Sequence, residues 1–184
     1  PTRIQEFIMA TTEVIFHDKL ASATNSWTKS SIPNTYAHLL LKASLVSDNS
    51  SNTDKFFVTV NSSSSGYDRQ SLRMNSSAWA ASNHANNSKW EQYYIMGANN
   101  NGIDSGAGFS TWEMWIPNYS GSTLTTLATA TCSTNGNTST AWQWEGSVDS
   151  YGWRSTDAIH TIKVECDAGD FAEHSCLTIY GIND

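Results

Sequence analysis

Apolar and polar residues alternate along most of the chain. The alternation is clearest in residues 36–45, where Leu39, Leu41 and Leu45 share one face of an extended strand and Lys42 lies on the other. A period of two residues predicts a β-strand with one buried face. Shorter segments of the same kind cover residues 12–16, 55–60, 67–74, 92–96, 111–116, 124–132, 141–145, 160–166 and 176–182.

These segments predict an all-β fold. No segment repeats apolar residues at helical spacing over three turns, and Gly, Ser and Asn interrupt the chain between the predicted strands. About ten strands in 184 residues favour a two-sheet antiparallel sandwich, jelly-roll-like, over a small barrel. We expect residues 1–10 to form an N-terminal arm and residues 11–184 a single β-sandwich domain. Residues 84–89 are predicted as a polar connection.

The last two strands, residues 160–166 and 176–182, are expected to form an antiparallel hairpin. Trp112 and Trp115 are separated by an odd number of residues, so a regular strand places them on opposite faces of its sheet. The predicted core comprises Leu39, Leu41, Val58, Val60, Ile162, Val164, Leu177 and Ile179.

Charge and hydropathy narrow the range of partners. The net charge of −7 disfavours contact with phosphate backbones, so no nucleic-acid partner is expected. No apolar run approaches the length of about 18 residues that a membrane helix needs. The first residues lack the basic start and apolar stretch of a secretion signal, which indicates synthesis in the cytoplasm.

Motifs for catalysis or metal binding are scarce, and the sequence predicts a non-enzymatic protein without a cofactor. There is no Gly-x-Ser-x-Gly turn, and the five histidines lack metal-ligand spacing. The acidic residues 167–173 are interpreted as a solvated loop rather than a calcium site. Glu113 and Glu145 are the carboxylates to consider for glycoside hydrolysis, the least favoured function. A disulfide between Cys166 and Cys176 is left open.

The eight tryptophans allow two interpretations. Aromatic side chains are enriched in subunit interfaces, and an exposed aromatic platform also stacks on sugar rings. Interface or core is the favoured interpretation, because more tryptophans are present than one core of this size normally holds. The candidate contact residues, for an interface or a glycan, are Trp115, Trp142, Trp144, Tyr151 and Trp153.

Four stretches resemble a family of virion structural proteins of tailed phages. Residues 32–44 are similar to a family strand that begins Ile-Pro-x-x-Tyr-Thr-His-Leu, and residues 57–61 with Tyr67 resemble its Phe-Asn-Gly-Asp hairpin. Residues 113–119 resemble a segment that ends in Ile-x-Asp-Tyr. Residues 158–182 are similar to the C-terminal hairpin that ends Leu-Tyr-Gly-Ile. The chain departs from this pattern at Ser62, Ser63 and Asn118.

The resemblance implies a protein of the virion, made in the host cytoplasm, that contacts the capsid or other virion proteins. A capsid decoration or cement protein acting as a homo-oligomer is the leading hypothesis, with a trimer favoured because phage decoration proteins and fibres resemble one another in that respect. The alternative is a tail-fibre or lectin-like adhesin that binds glycans on the host surface. The family supplies no catalytic residues.

Overall fold

A computed structural model describes residues 11–50, 53–75, 78–97, 109–138 and 141–183, and the predicted arm, residues 1–10, lies outside these ranges. Within them the chain forms twelve strands and no helix. The strands are β1 (Thr12–Lys19), β2 (Ser26–Lys29), β3 (His38–Leu45), β4 (Thr53–Val60), β5 (Tyr67–Asn75), β6 (Ala78–Asn87), β7 (Trp90–Gly97), β8 (Ser110–Pro117), β9 (Thr126–Thr138), β10 (Ala141–Trp153), β11 (Ile162–Cys166) and β12 (Cys176–Ile182).

The strands form two antiparallel sheets packed as a sandwich, which confirms the predicted fold class. The larger sheet has the order β1-β12-β3-β8-β9-β10-β5-β6, and the smaller has the order β2-β11-β4-β7. The chain crosses repeatedly from one sheet to the other, as in jelly-roll proteins. The strands β9, β10, β5 and β6 form one end of the larger sheet, and this end carries the surface described below.

The core lies between the sheets and follows the predicted alternation. All eight residues predicted for it are at most 1% exposed, because each occupies an inward position of β3, β4, β11 or β12. Aromatic rings fill the centre, with Phe56 edge-on to Trp112 at 5.2 Å and Tyr67 edge-on to Trp90 at 5.4 Å. Trp112 is buried and Trp115 half-buried, which confirms their placement on opposite faces.

The predicted C-terminal hairpin is wrong. The strand β11 pairs with β2 and β4 in the smaller sheet, whereas β12 pairs with β1 and β3 in the larger one. The connection between them is long enough to span the roughly 10 Å between packed sheets. Its Phe171 is fully buried, with its ring centroid 4.5 Å from that of Trp27, so the connection itself belongs to the core.

A buried carboxylate fastens this connection to the turn before β4. Asp54 is 5% exposed and accepts hydrogen bonds from the Ser47 hydroxyl at 2.7 Å and from the backbone N–H groups of Lys55 at 2.7 Å and Gly169 at 3.2 Å. The backbone also approaches closely here, since a Cβ added to Gly169 would lie 2.7 Å from the Ser47 hydroxyl oxygen. The acidic residues 167–173 are therefore a structural connection.

The segment predicted as a polar connection, residues 84–89, contributes mostly to a strand. The strand β6 runs to Asn87 and pairs with β5 over its length, with a register shift near Arg69. It forms one edge of the larger sheet. Among the described residues, no helix is long and apolar enough to cross a membrane.

Candidate binding face

The outer face of the larger sheet carries a group of exposed apolar side chains near the β6 edge. On β5, the residues at odd positions from Tyr67 to Ser71 are buried, so Leu72 and Met74 are directed to the outer face. The strand register sets Met74 opposite Trp79 on β6 and Leu72 opposite Val148 on β10. We call Leu72, Met74, Trp79 and Val148 the apolar patch.

The exposure of the apolar patch is unusual for residues of this type. Trp79 is 66% exposed and Val148 57%, and the four side chains line one shallow depression of about 260 Å³ together with Thr131 and Gly146. None of the described residues that line this depression carries a charge. Depletion of charge and enrichment of Trp and Met distinguish the centre of protein interfaces from other surfaces.

A row of neutral polar residues crosses the same face next to the patch. Ser150 on β10 pairs with Gln70 on β5, which pairs with Asn83 on β6. All three side chains are exposed. We call these three residues the polar row. They line a depression of about 500 Å³, and Leu72 and Val148 of the apolar patch form the apolar part of its wall.

An ion pair lies beside the polar row, on the side away from Leu72. The Arg154 guanidinium donates two hydrogen bonds to the Asp68 carboxylate, at 2.8 and 2.9 Å, and thereby lowers the pKa of Asp68 below its ordinary value. Asp68 also accepts a hydrogen bond from the backbone N–H of Asn86 at 2.9 Å. This contact joins β5 to the end of β6.

The interior beneath the polar row is itself polar, and several of its side chains are hydrogen-bonded to one another. Gln92 on β7 donates hydrogen bonds to Asp149 at 2.7 Å and to Ser147 at 2.9 Å, and it accepts one from the Tyr151 hydroxyl. Arg69 donates to the carbonyl oxygen of Glu91 at 2.8 Å. Burial, and secondarily the nearby Asp149, raise the pKa of Tyr151 well above its ordinary value. These contacts fix β5 and β10 on β7.

The described side chains of the predicted contact residues, Trp115, Tyr151 and Trp153, do not form one surface. Tyr151 and Trp153 are 3% and 4% exposed, so their rings belong to the core and not to a surface platform, which corrects that prediction. Trp115 is half-buried on the outer face, with its ring 4.8 Å from that of His38. Trp142 and Trp144 belong to β10, and their side chains lie outside the described part of the structure.

The remaining sequence candidates occupy separate places. Glu113 forms an ion pair with Lys42 at 2.9 Å, and the side chain of Glu145 lies outside the described part of the structure. Cys132, Cys166 and Cys176 are free thiols, so Cys166 and Cys176 form no disulfide. In the described ranges, no group of three or more His, Cys, Asp or Glu side chains is placed to hold a metal ion.

Comparison of the chain with protein-family models, with curated proteins and with solved structures finds no match.

Sequence reasoning missed the apolar patch. The alternation of residues 67–74 places Leu72 and Met74 on one face, but nothing local in the sequence distinguishes the outer face from the inner one.

Proposed function

We propose that this chain is a non-enzymatic structural protein of a tailed-phage particle, and that it decorates or cements the capsid as a homo-oligomer. The observation that carries the assembly part of this proposal is the apolar patch. Contiguous exposed apolar surface on a folded domain marks a site of protein contact more often than a solvated surface. The likeness of four sequence stretches to phage virion proteins supports the location in the particle.

The proposed contact involves the outer face around Trp79 and Met74, close to the β6 edge. Among the described residues, the patch is uncharged and supplies the apolar centre of an interface, and Thr131 beside it supplies a polar group at its border. A ring of subunits about a cyclic axis would cover the patch on every copy, and three subunits are the arrangement we expect.

Light scattering coupled to gel filtration tests the assembly. The wild-type chain of 20.2 kDa should elute at about three times that mass at micromolar concentration. Trp79→Glu combined with Met74→Glu should yield monomers, because charges would replace the apolar centre of the interface. Leu124→Glu is the matched control, since Leu124 is 69% exposed but lies in the loop before β9, outside the patch.

Association with the particle is tested by adding the protein to purified heads that lack it and recovering the heads by sedimentation. Wild-type protein and Leu124→Glu should co-sediment, and the double variant should not. A monodisperse wild-type monomer that also fails to bind heads would remove the proposal.

A further inference from the structure

The polar row and its surroundings form a groove beside the apolar patch, and Leu72 and Val148 line both. Ser150, Gln70 and Asn83 stand side by side on three adjacent strands. With strands about 4.8 Å apart, the row spans roughly 10 Å across the sheet. Two adjoining depressions, of about 500 and 410 Å³, share these three residues and together extend along β5 from Leu72 to Asp68.

The groove offers neutral hydrogen-bonding groups of both kinds. Each amide has two donor hydrogens and one acceptor oxygen, and a serine hydroxyl donates and accepts. No hydrogen bond between described residues occupies the side chains of Gln70, Asn83 or Ser150, which leaves these groups available to a ligand. A ligand whose own groups both donate and accept matches this set, as sugar hydroxyls do.

Apolar side chains flank the polar row on both sides. Leu72 and Val148 line it on one side, 45% and 57% exposed, and Leu127, 62% exposed, lines the other. A ligand that carries apolar C–H surface between its polar groups can cover these side chains and bind the polar row at once. Pyranose rings have this character, with hydroxyl groups around the rim and C–H groups on the faces.

The charge of the groove disfavours an anionic ligand. Of the described arginine and lysine residues that line it, only Arg154 is exposed, and the Asp68 carboxylate accepts two hydrogen bonds from it. A phosphate or sulfate group would have to displace that carboxylate or accept its repulsion. The net charge of −7 adds to the effect for any polyanion.

The floor of the groove is held in place before any ligand arrives. Asp149 and Tyr151, next to Ser150 on β10, are buried and hydrogen-bonded to Gln92 on the opposite sheet. Arg69, next to Gln70 on β5, is 2% exposed and donates to Ser82 on β6 at 3.3 Å. Each residue of the polar row thus stands on a fixed strand, which reduces the entropy lost on binding.

We propose that this groove binds a neutral oligosaccharide. Gln70, Asn83 and Ser150 hydrogen-bond its hydroxyl groups, and Leu72, Val148 and Leu127 contact its C–H faces. Trp79 and Met74 do not line the groove, so glycan binding can be measured in a variant of these two residues that does not assemble.

The test is binding to an array of neutral oligosaccharides (α- and β-linked glucans, galactans and N-acetylglucosamine oligomers) printed beside sialylated and sulfated glycans. Titration calorimetry then measures the dissociation constant per site for the best neutral ligand. Wild-type protein should bind at least one neutral glycan, and Gln70→Ala with Asn83→Ala should weaken binding at least tenfold.

The matched control is Thr111→Ala with Ser133→Ala, which removes two polar side chains from another depression on the same face, where they bond each other at 2.9 Å. This control should bind like wild type. Trp79→Glu with Met74→Glu should keep the same constant per site even as a monomer, which separates this proposal from the assembly proposal. Binding to no glycan on the array, binding to anionic glycans alone, or equal loss in control and groove variants would overturn the proposal.

Discussion

Replacement of Asp54 by alanine should destabilise the protein by about 4 kcal/mol. The carboxylate accepts hydrogen bonds from Ser47, Lys55 and Gly169 in a site where only 5% of the residue is exposed. A hydrogen bond to a charged group contributes about 1.5–3 kcal/mol, and a buried donor left without a partner costs a similar amount. The estimate lies below the sum for three such bonds, because Gly169 is half-buried and water can reach its N–H.

Urea denaturation at a fixed protein concentration measures this loss, since association would otherwise shift the midpoint. Asp54→Asn retains one acceptor oxygen and should lose about half as much as alanine. Asp167→Ala is the control, because Asp167 lies in the same connection and is exposed, so it should change stability by less than about 0.5 kcal/mol.

The three variants should unfold with the same dependence on urea as the wild type, which shows that only stability has changed. A loss of under 1 kcal/mol for Asp54→Ala, or a loss for Asp167→Ala that equals it, would refute the reasoning that this carboxylate holds the connection to the turn before β4.

Three further predictions concern single side chains. Burial raises the pKa of Cys166 to about 12, so iodoacetamide at pH 8 should label this thiol only after the protein unfolds. Rapid labelling of Cys166 in the native protein, detected by peptide mass spectrometry, would contradict this. Gly181→Ala should lower the free energy of unfolding by about 1–3 kcal/mol in thermal denaturation, because the added Cβ would lie 2.4 Å from the Tyr36 ring. Gly152→Ala is the control and should not lower it, because no atom lies nearer than 3.7 Å to the added Cβ. Equal effects of the two substitutions would count against the ring contact. Arg154 lowers the pKa of Asp68, so the small stabilisation from this pair should be present above pH 3.8, the ordinary pKa, and should disappear as pH falls through the lowered pKa. An NMR titration of Arg154→Ala that leaves the Asp68 midpoint unchanged would show that another group is responsible.

The alternation of apolar and polar residues correctly predicted which face of its strand each core residue occupies. It did not predict which strands pair with one another. A residue's neighbours at i±2 determine which face it shares, so the inward positions of β3, β4, β11 and β12 could be found from the sequence. Pairing depends on contacts between distant segments. The strands β11 and β12 alternate equally well, and the sequence alone does not reveal that Phe171 takes the connection between them through the core.

The candidate site was hard to predict for a related reason. The strand β6 is rich in Ala and Asn, which have low strand propensity, and it pairs along its length with β5. Unless β6 is recognised as a strand, the residues that lie opposite Met74 and Gln70 on it cannot be identified. The predicted aromatic platform combined odd and even positions of one strand, which a regular strand directs to opposite faces.

The pairing of β1 with β12 has a consequence for how the chain reaches its folded state. Thr12 pairs with Ile182, and β12 separates β1 from the rest of the larger sheet. The strand β1 therefore finds its place only after β12 has been synthesised, and contacts so distant in sequence form slowly. Until then β1 and the edge of β3 remain open to other chains at high local concentration, so removal of the last nine residues should leave a product that aggregates during expression.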